Sequence, residues 1–223
     1  MWNDYGLKHS KGSVLNSCSV QHPVRTQEAL EILPDVTHVF KSTVQGWVKN
    51  HYIYLPDDLM VTENGFTNNV ATISHLQELV AFEKEKELKM ASRLTSKDVE
   101  FSKISSLDAM KVSTSYKLVN HIVAAALRFM SAEKNRPDLL TTAFFIETVW
   151  RWFKLMTSRS VQLALSLKQI DVYKESVAFV NSYRTLIYEC KVGVDKKLKP
   201  WQAAAILCTN SILRLQHYCS RTA

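Results

Sequence analysis

The sequence predicts a mainly α-helical protein in which a helical domain follows a small α/β region. Two observations lead to this fold class. The 223 residues include only five glycines and five prolines, and in long stretches of helix-forming residues the apolar side chains recur every three or four positions. The apolar fraction of 46% is sufficient for a buried core. The same composition argues against an all-β fold, which needs more turn residues.

Residues 1–50 are predicted to combine a polar start, a short strand at Ala29–Leu33 and a helix from Thr37 to Asn50. The strand ends at Pro34, and Asp35 follows at the N-terminal end of the helix. A carboxylate at the end of a strand suits a metal site or an acid-base role. Aspartate is also a common helix N-cap, and from the residues alone this structural role is the more frequent one.

Residues 51–90 are predicted to connect the two regions. A hairpin or an extended link is expected at Tyr52–Val61, a turn at Asn64–Gly65, and a helix from about Asn69 to Met90. The apolar stripe that predicts this helix consists of Val70, Ile73, Leu76, Leu79, Val80 and Phe82. Thr95 is a predicted N-cap within the polar segment that follows. The change of composition at residues 88–98 predicts a domain boundary.

Residues 91–223 have a helical pattern, with helices predicted at Met110–Met130, Leu139–Leu167, Val172–Cys190 and Pro200–Tyr218. Asp138, after Arg136 and Pro137, is a candidate cap for the second of these helices. Aromatic residues recur along that helix, a spacing that indicates core packing more often than a platform for stacking bases. They are Phe144, Phe145, Trp150, Trp152 and Phe153.

The charge and the scattered chemistry-bearing residues narrow the function classes. A formal net charge of +7 favours polyanionic partners. The four cysteines form no C-x-x-C pair and are interpreted as reduced thiols of an intracellular protein. The seven histidines show no metal-binding spacing, and neither a P-loop motif nor a nucleophile elbow is present. No apolar run approaches the roughly 20 residues that cross a bilayer, so we expect no membrane partner.

Four blocks occur in the order found in one protein family. They are Leu33–Lys41, Met110–Ser113 with the following Leu118–Ala126, Trp152–Arg159 and Lys199–Ala203. Through these blocks the chain resembles P-element-type DNA transposases, the group that includes the THAP-domain transposases and their domesticated relatives. The resemblance extends over nearly the whole chain.

The resemblance implies a division into three parts. Residues 1–50 would be the end of the first part of an RNase H-like catalytic domain, residues 51–90 a connection, and residues 91–223 a GTP-binding-insertion-like domain. Enzymes with the RNase H fold use several carboxylates to hold two Mg²⁺ ions for phosphoryl transfer. Asp35 matches one of these catalytic, metal-binding carboxylates. The others are expected outside this chain, so the resemblance implies that the chain is not catalytically competent alone.

The resemblance also places nucleotide contacts in the insertion domain, at Arg93, Lys111, Val112, Asn120, Phe153, Lys154 and Thr157. The family has Asp where this sequence has Lys154, and Asn where it has Thr157. Guanine presents N1 and N2 donors, which a carboxylate accepts and a lysine cannot. GTP is therefore the cofactor that the family implies, but we expect this sequence to lack specific guanine recognition.

Two functions follow from the sequence. The first is a fragment or domesticated derivative of a P-element-like transposase. Such a protein would be nuclear, would have DNA as its partner and could bind a nucleotide as a further ligand. It would assemble with a second copy or with a complementing transposase chain. The second is a non-enzymatic helical interaction module whose basic surface binds nucleic acid or protein.

Overall fold

The computed structural model describes residues 19–22, 24–25, 27–59, 66–103, 111–158 and 169–221. These residues are mostly helical, which confirms the predicted fold class. The α-helices are α1 (Val36–Asn50), α2 (Ser74–Lys84), α3 (Val112–Leu118), α4 (His121–Lys134), α5 (Asp138–Met156), α6 (Ile170–Glu189) and α7 (Pro200–Arg221). Two short 3₁₀ turns, Ser96–Val99 and Phe101–Lys103, lie between α2 and α3.

The strands form two small antiparallel sheets. In the first, β1 (Ser19–Gln21) pairs with β2 (Ala29–Glu31). In the second, β3 (Tyr52–Tyr54) lies between β4 (Val70–Thr72) and β5 (Lys191–Val192). The strand and helix expected in residues 29–50 are both present. The predicted turn at Asn64–Gly65 lies outside the described residues.

A helix is present within the predicted range Asn69–Met90, but the prediction is wrong about both its first and its last residue. Its first apolar residues pair as β4 with β3, and helix α2 begins at Ser74 and ends at Lys84. The sequence pattern could not reveal this, because a short apolar segment fits either period and the pairing strand is distant along the chain.

The helix predicted at Met110–Met130 is two helices. Asn120 has an extended backbone (φ −158°, ψ 167°), and its Oδ1 accepts hydrogen bonds from the N–H groups of Ile122 and Val123 at 2.9 and 3.0 Å. It therefore acts as the N-cap that starts α4. The next predicted helix begins as expected but ends at Met156. Asp138 is not its cap, because its carboxylate binds the guanidinium of Arg136 instead.

Thr95 is confirmed as a cap. It forms a capping box with Asp98, whose Oδ2 accepts from the Thr95 N–H at 2.9 Å and from its hydroxyl at 2.6 Å. The reciprocal pairing holds the 3₁₀ turn at Ser96–Val99 and fixes the segment that precedes it.

Helix α1 lies in the middle of the core and packs on α3, α5 and α7. The ring of Phe40 stacks on Phe153 with centroids 4.1 Å apart, and Trp47 meets Phe145 edge to face at 5.2 Å. The indole N–H of Trp47 donates to the Ala71 carbonyl at 3.2 Å, which ties α1 to β4. Residues on both sides of the predicted boundary at 88–98 thus belong to one core.

Helix α7 closes the core from the C-terminal side. The amide of buried Gln202 donates to the carbonyls of Ile187 and Cys190 at 2.8 and 2.9 Å, while its oxygen accepts from the Lys199 N–H at 2.8 Å. One side chain thereby satisfies the end of α6 and the start of α7. Among the described residues, no helix is long and apolar enough to cross a membrane.

The two cysteines whose surroundings the structure describes, Cys190 and Cys208, are buried and not in a disulfide. This agrees with the expectation of reduced thiols. The aromatic stripe of α5 is likewise core at Phe145, Trp152 and Phe153, each at most 2% exposed. Trp150 is half-buried and lies at the surface of the core.

Candidate functional site

A cavity of about 730 Å³ opens between the segment 90–94, helix α3 and the start of α4. The geometry follows from the two helix starts: the break at Asn120 turns α4 away from α3 and leaves space beside their junction. Trp150 of α5 forms part of the wall. The cavity is large enough for a nucleotide-sized ligand.

The wall of the cavity is aromatic. Tyr116 meets Trp150 edge to face with centroids 5.0 Å apart and meets Phe153 at 5.3 Å. The imidazole of His121 stacks on Trp150 at 5.9 Å with a 29° tilt between the planes. Burial raises the pKa of Tyr116 above its ordinary value, which already lies well above neutral pH, so its hydroxyl is available as a donor. This arrangement offers flat apolar faces for a ring.

Cationic side chains lie at the same cavity. Arg93 and Lys117 both contribute to its lining, whereas none of the described lining residues is acidic. The ammonium of Lys117 contacts Asp98 Oδ1 at 2.7 Å. Burial raises the pKa of Asp98, but its hydrogen bonds to Lys117 and Thr95 outweigh burial, and the net shift is downward. Asp98 therefore stays charged and holds Lys117 in place.

Three of the seven predicted nucleotide contacts line this cavity: Arg93, Val112 and Asn120. Lys111 directly precedes Val112 and is the N-cap residue of α3. The side chain of Asn120 is committed to the backbone, because its Nδ2 also donates to the Tyr116 carbonyl at 2.8 Å. Its contribution to the site is to shape the α3–α4 junction.

The structure does not bring the other three to the cavity wall. Phe153 is 2% exposed and lies behind Tyr116. Lys154 lines a second cavity of about 700 Å³ between α5 and α6, and its Nζ lies 5.8 Å from the Trp150 ring centroid. Thr157 ends α5, and its hydroxyl donates to the Phe153 carbonyl at 2.7 Å. The two cavities share His121 and Trp150, so Lys154 lies on the other side of that ring pair.

Sequence reasoning missed most residues of the wall, among them Tyr116, Lys117, His121 and Trp150. A signal was available for Tyr116, since it follows the predicted contact Val112 and precedes the predicted contact Asn120 by one helical turn each. For Trp150 the helical aromatic stripe gave no such signal, because core and cavity positions share the same spacing.

Asp35 lies at the start of α1 and acts as its N-cap. Its Oδ1 accepts from the Thr37 N–H at 3.0 Å and also from the Thr37 hydroxyl. The hydroxyl of Thr37 is the main cause that lowers the pKa of this carboxyl. In the described ranges no three His, Cys, Asp or Glu side chains are grouped so that they could hold a metal ion. The described residues thus show no metal-binding cluster around Asp35, and its metal role stays a prediction.

The fold and the cavity define a helical insertion-type domain. Residues 58–169, half of the chain, match the sequence model of the TNP-like, GTP-binding insertion domain, and the chain belongs to this family. The matched range contains all of the predicted nucleotide contacts. No curated protein matches the chain.

A solved structure has the same fold over almost the entire chain. The Drosophila P element transposase strand transfer complex superposes with a TM-score of 0.72 and covers 99% of this chain at 16% identity. At that identity the likeness shows the fold alone. This chain spans 46% of the length of that transposase chain. The resemblance to P-element-type transposases is thereby confirmed, whereas the RNase H-like and THAP parts stay predictions.

Proposed function

We propose that this chain is the nucleotide-binding insertion part of a P-element-type DNA transposase, or of a domesticated derivative, and that it works in DNA-complex assembly. The cavity at the α3–α4 junction carries this proposal, because it combines aromatic faces with cationic side chains and lies inside the family match. The proposal implies a nuclear protein that assembles with a second copy or with a complementing transposase chain.

The chemistry of the cavity suits a nucleotide. Phosphate oxygens would pair with Arg93 and Lys117, and the base would lie against Tyr116 or the Trp150–His121 pair. The guanidinium of Arg93 is exposed and has no ion-pair partner within the described ranges, so it is available to an anion. An aromatic face accepts any base, because every base has a π-face.

Selectivity for guanine needs acceptors, and the described lining residues supply no carboxylate. The position at which the family has Asp is Lys154, which adds positive charge beside Trp150. We therefore expect GTP and ATP to bind with similar affinity, and both more tightly than their monophosphates.

Isothermal titration of the 223-residue chain with GTP, ATP, GMP and AMP tests this function. We expect Arg93→Ala to weaken triphosphate binding by about tenfold, since a hydrogen bond to a charged group contributes about 1.5–3 kcal/mol. Arg128→Ala is the matched control, because Arg128 is an exposed α4 arginine that pairs with Glu147 and does not line this cavity. The absence of nucleotide binding, or equal losses in the two variants, would refute the proposal.

The variant Lys154→Asp tests the assignment of the Trp152–Arg159 block. Restoring a carboxylate beside Trp150 should create a preference for GTP over ATP of about tenfold, equivalent to roughly 1.4 kcal/mol. The control Lys154→Ala removes the charge without adding an acceptor and should leave the two affinities equal. A Lys154→Asp protein without guanine preference would show either that position 154, which lines the second cavity, does not reach the base, or that this block has been aligned wrongly.

We further propose that the chain does not cut or join DNA by itself. The support is the site of Asp35, whose carboxylate is used as a helix cap and has no cluster of acidic neighbours in the described ranges. An assay with labelled oligonucleotides and Mg²⁺ checks this, and cleavage abolished by Asp35→Ala would disprove it. The alternative is an interaction module that binds no nucleotide. It predicts no heat of binding in the nucleotide titrations, together with DNA gel shifts that weaken as salt rises.

A further inference from the structure

We infer that the outer face of the β4–β3–β5 sheet binds single-stranded DNA, with Tyr52 stacking on a base and Lys191 and Lys196 contacting phosphates. This surface is separate from the nucleotide cavity. The choice of DNA over RNA rests on the proposed function, whereas the surface itself is argued from its own geometry.

The strand register sorts the side chains onto two faces. Ile53 on β3 lies opposite Ala71 and Val192, and all three are fully buried. Because side chains alternate along a strand, Tyr52 and Tyr54 point to the opposite, outer face. Lys191 lies directly across from Tyr54 on β5 and shares that face.

The outer face is open to solvent. Tyr52 is 40% exposed, which is high for a tyrosine in the central strand of a sheet. Lys191 is exposed as well. An exposed aromatic ring beside a lysine on a strand is the combination with which sheets bind unpaired bases and their backbone.

The loop after β5 folds back over the same face. The N–H of Gly193 (φ 72°) donates to the Tyr52 carbonyl at 2.8 Å. Three residues later Lys196 has φ 49°, and its Nζ lies 4.5 Å from the Tyr54 ring centroid. The cation–π contact holds the ammonium above the sheet, where a passing phosphate would meet it.

The loop after β5 contains a lysine in an uncommon backbone conformation. Among the described residues other than glycine, positive φ occurs at His51, Asn135 and Lys196. Asn135 is the C-cap of α4, where the left-handed conformation is ordinary. His51 is likewise a helix C-cap, at the end of α1, where its N–H donates to the Trp47 carbonyl at 2.8 Å, whereas Lys196 lies in the β5–α7 loop and its N–H donates to the Gly193 carbonyl at 3.2 Å. A lysine held in this conformation at an energetic cost points to a role for its side chain.

The charge of the surface is positive. Lys49 and Lys197, close to Tyr52 and Lys196 in the chain, are exposed as well. Two neighbouring carboxylates are engaged: Asp195 binds Lys199 Nζ at 2.8 and 2.9 Å, and Asp57 accepts from Asn69 Nδ2 at 2.6 Å. A phosphate backbone is therefore the complementary partner.

Fluorescence anisotropy with labelled oligothymidine, over several salt concentrations, tests the inference on the 223-residue chain. We expect Tyr52→Leu to weaken binding by about fivefold or more, since a stacked base loses that much without its aromatic partner, and Tyr52→Phe to retain it. The double variant Lys191→Gln/Lys196→Gln should reduce the slope of log affinity against log salt by about 1.4, or about 0.7 for each phosphate released.

The control is Lys84→Gln/Lys174→Gln, which removes the same charge from exposed positions on α2 and α6. The inference would be overturned if the two lysine pairs had equal effects or if Tyr52→Leu caused no loss of affinity. It would also be overturned if duplex DNA bound more tightly than single strands, or if the wild type bound no DNA. Nucleotide titrations of the sheet variants separate it from the proposed function. The sheet variants should bind nucleotide as tightly as the wild type. If neither the wild type nor any variant bound nucleotide, that result would count against the proposed cavity and not against the sheet surface.

Discussion

The substitution Gly46→Ala tests how closely helices α1 and α7 approach each other. Gly46 lies inside α1, where alanine would ordinarily be favoured by up to about 1 kcal/mol. A Cβ at this position would lie 3.0 Å from Cε2 of Trp201 and closer still to Nε1 and Cδ1 of the same ring. Trp201 is itself buried in the core, so its rigid ring has little room to yield.

The two effects oppose each other, and the magnitudes decide the sign. Inserting a methyl group into a packed core costs about 1–3 kcal/mol, so overpacking exceeds the gain in helix propensity. We expect Gly46→Ala to destabilise the protein by about 1 kcal/mol net, which lowers Tm by about 2–4 °C for a chain of this size. Urea denaturation followed by circular dichroism measures the change.

The variant Trp201→Leu serves as the control background. Without the indole ring the three closest atoms to the added methyl group are gone, and Gly46→Ala should cost less there or become neutral. The coupling energy of the double-mutant cycle then reports the clash itself. A Gly46→Ala protein that is more stable than the wild type would refute the close approach of α1 and α7.

Three further outcomes follow from buried polar groups. Burial lowers the pKa of His75, so below its ordinary value of 6.5 the unfolded chain binds a proton that the folded protein does not. The free energy of unfolding should thus fall as the pH drops below 6.5. Urea titrations between pH 7 and 5 measure this dependence, and His75→Gln should make it weaker. An unchanged pH dependence would show that His75 is not its cause. Gln202→Leu should cost about 2–4 kcal/mol because it removes the amide partner of two buried carbonyls and of one partly buried N–H. A loss below about 1 kcal/mol in thermal unfolding would show that water replaces the amide. Burial raises the pKa of Cys208 to about 12 and that of Cys190 still further, so both thiols should react with a maleimide only after denaturation, and rapid labelling of either one in the native protein would be the contrary result.

His75 also shows why single residues cannot be interpreted in isolation. Its Nδ1 lies 2.8 Å from the Thr142 hydroxyl and its Nε2 3.4 Å from Asp138, which in turn binds Arg136. A hydroxyl, an imidazole and a carboxylate in a row have the composition of a catalytic triad, but here the three groups have a structural role. Thr142 is fully buried and accepts the Thr72 N–H at 3.1 Å, so the network joins β4 and α2 to α5.

Part of the candidate site was accessible from the sequence. The family resemblance selected Arg93, Val112 and Asn120, and these residues do line one cavity although Arg93 lies well before the other two in the chain. The blocks also selected Phe153, which the structure buries behind Tyr116. Whether an aromatic residue of α5 faces the core or a cavity depends on the neighbouring helix. The spacing of apolar residues along α5 contains no information about that neighbour.

The sequence by itself determined the helical class, helix α1 with Asp35 at its start, and the family to which the chain belongs. These are local properties, since apolar spacing and capping chemistry act within a few residues. The tertiary structure alone decided that residues 70–72 form a strand and that Lys191 lies across from Tyr54. It also decided that Arg93 and Trp150 meet at one cavity. Each of these depends on pairing or packing between distant segments, whose energies the local pattern does not contain.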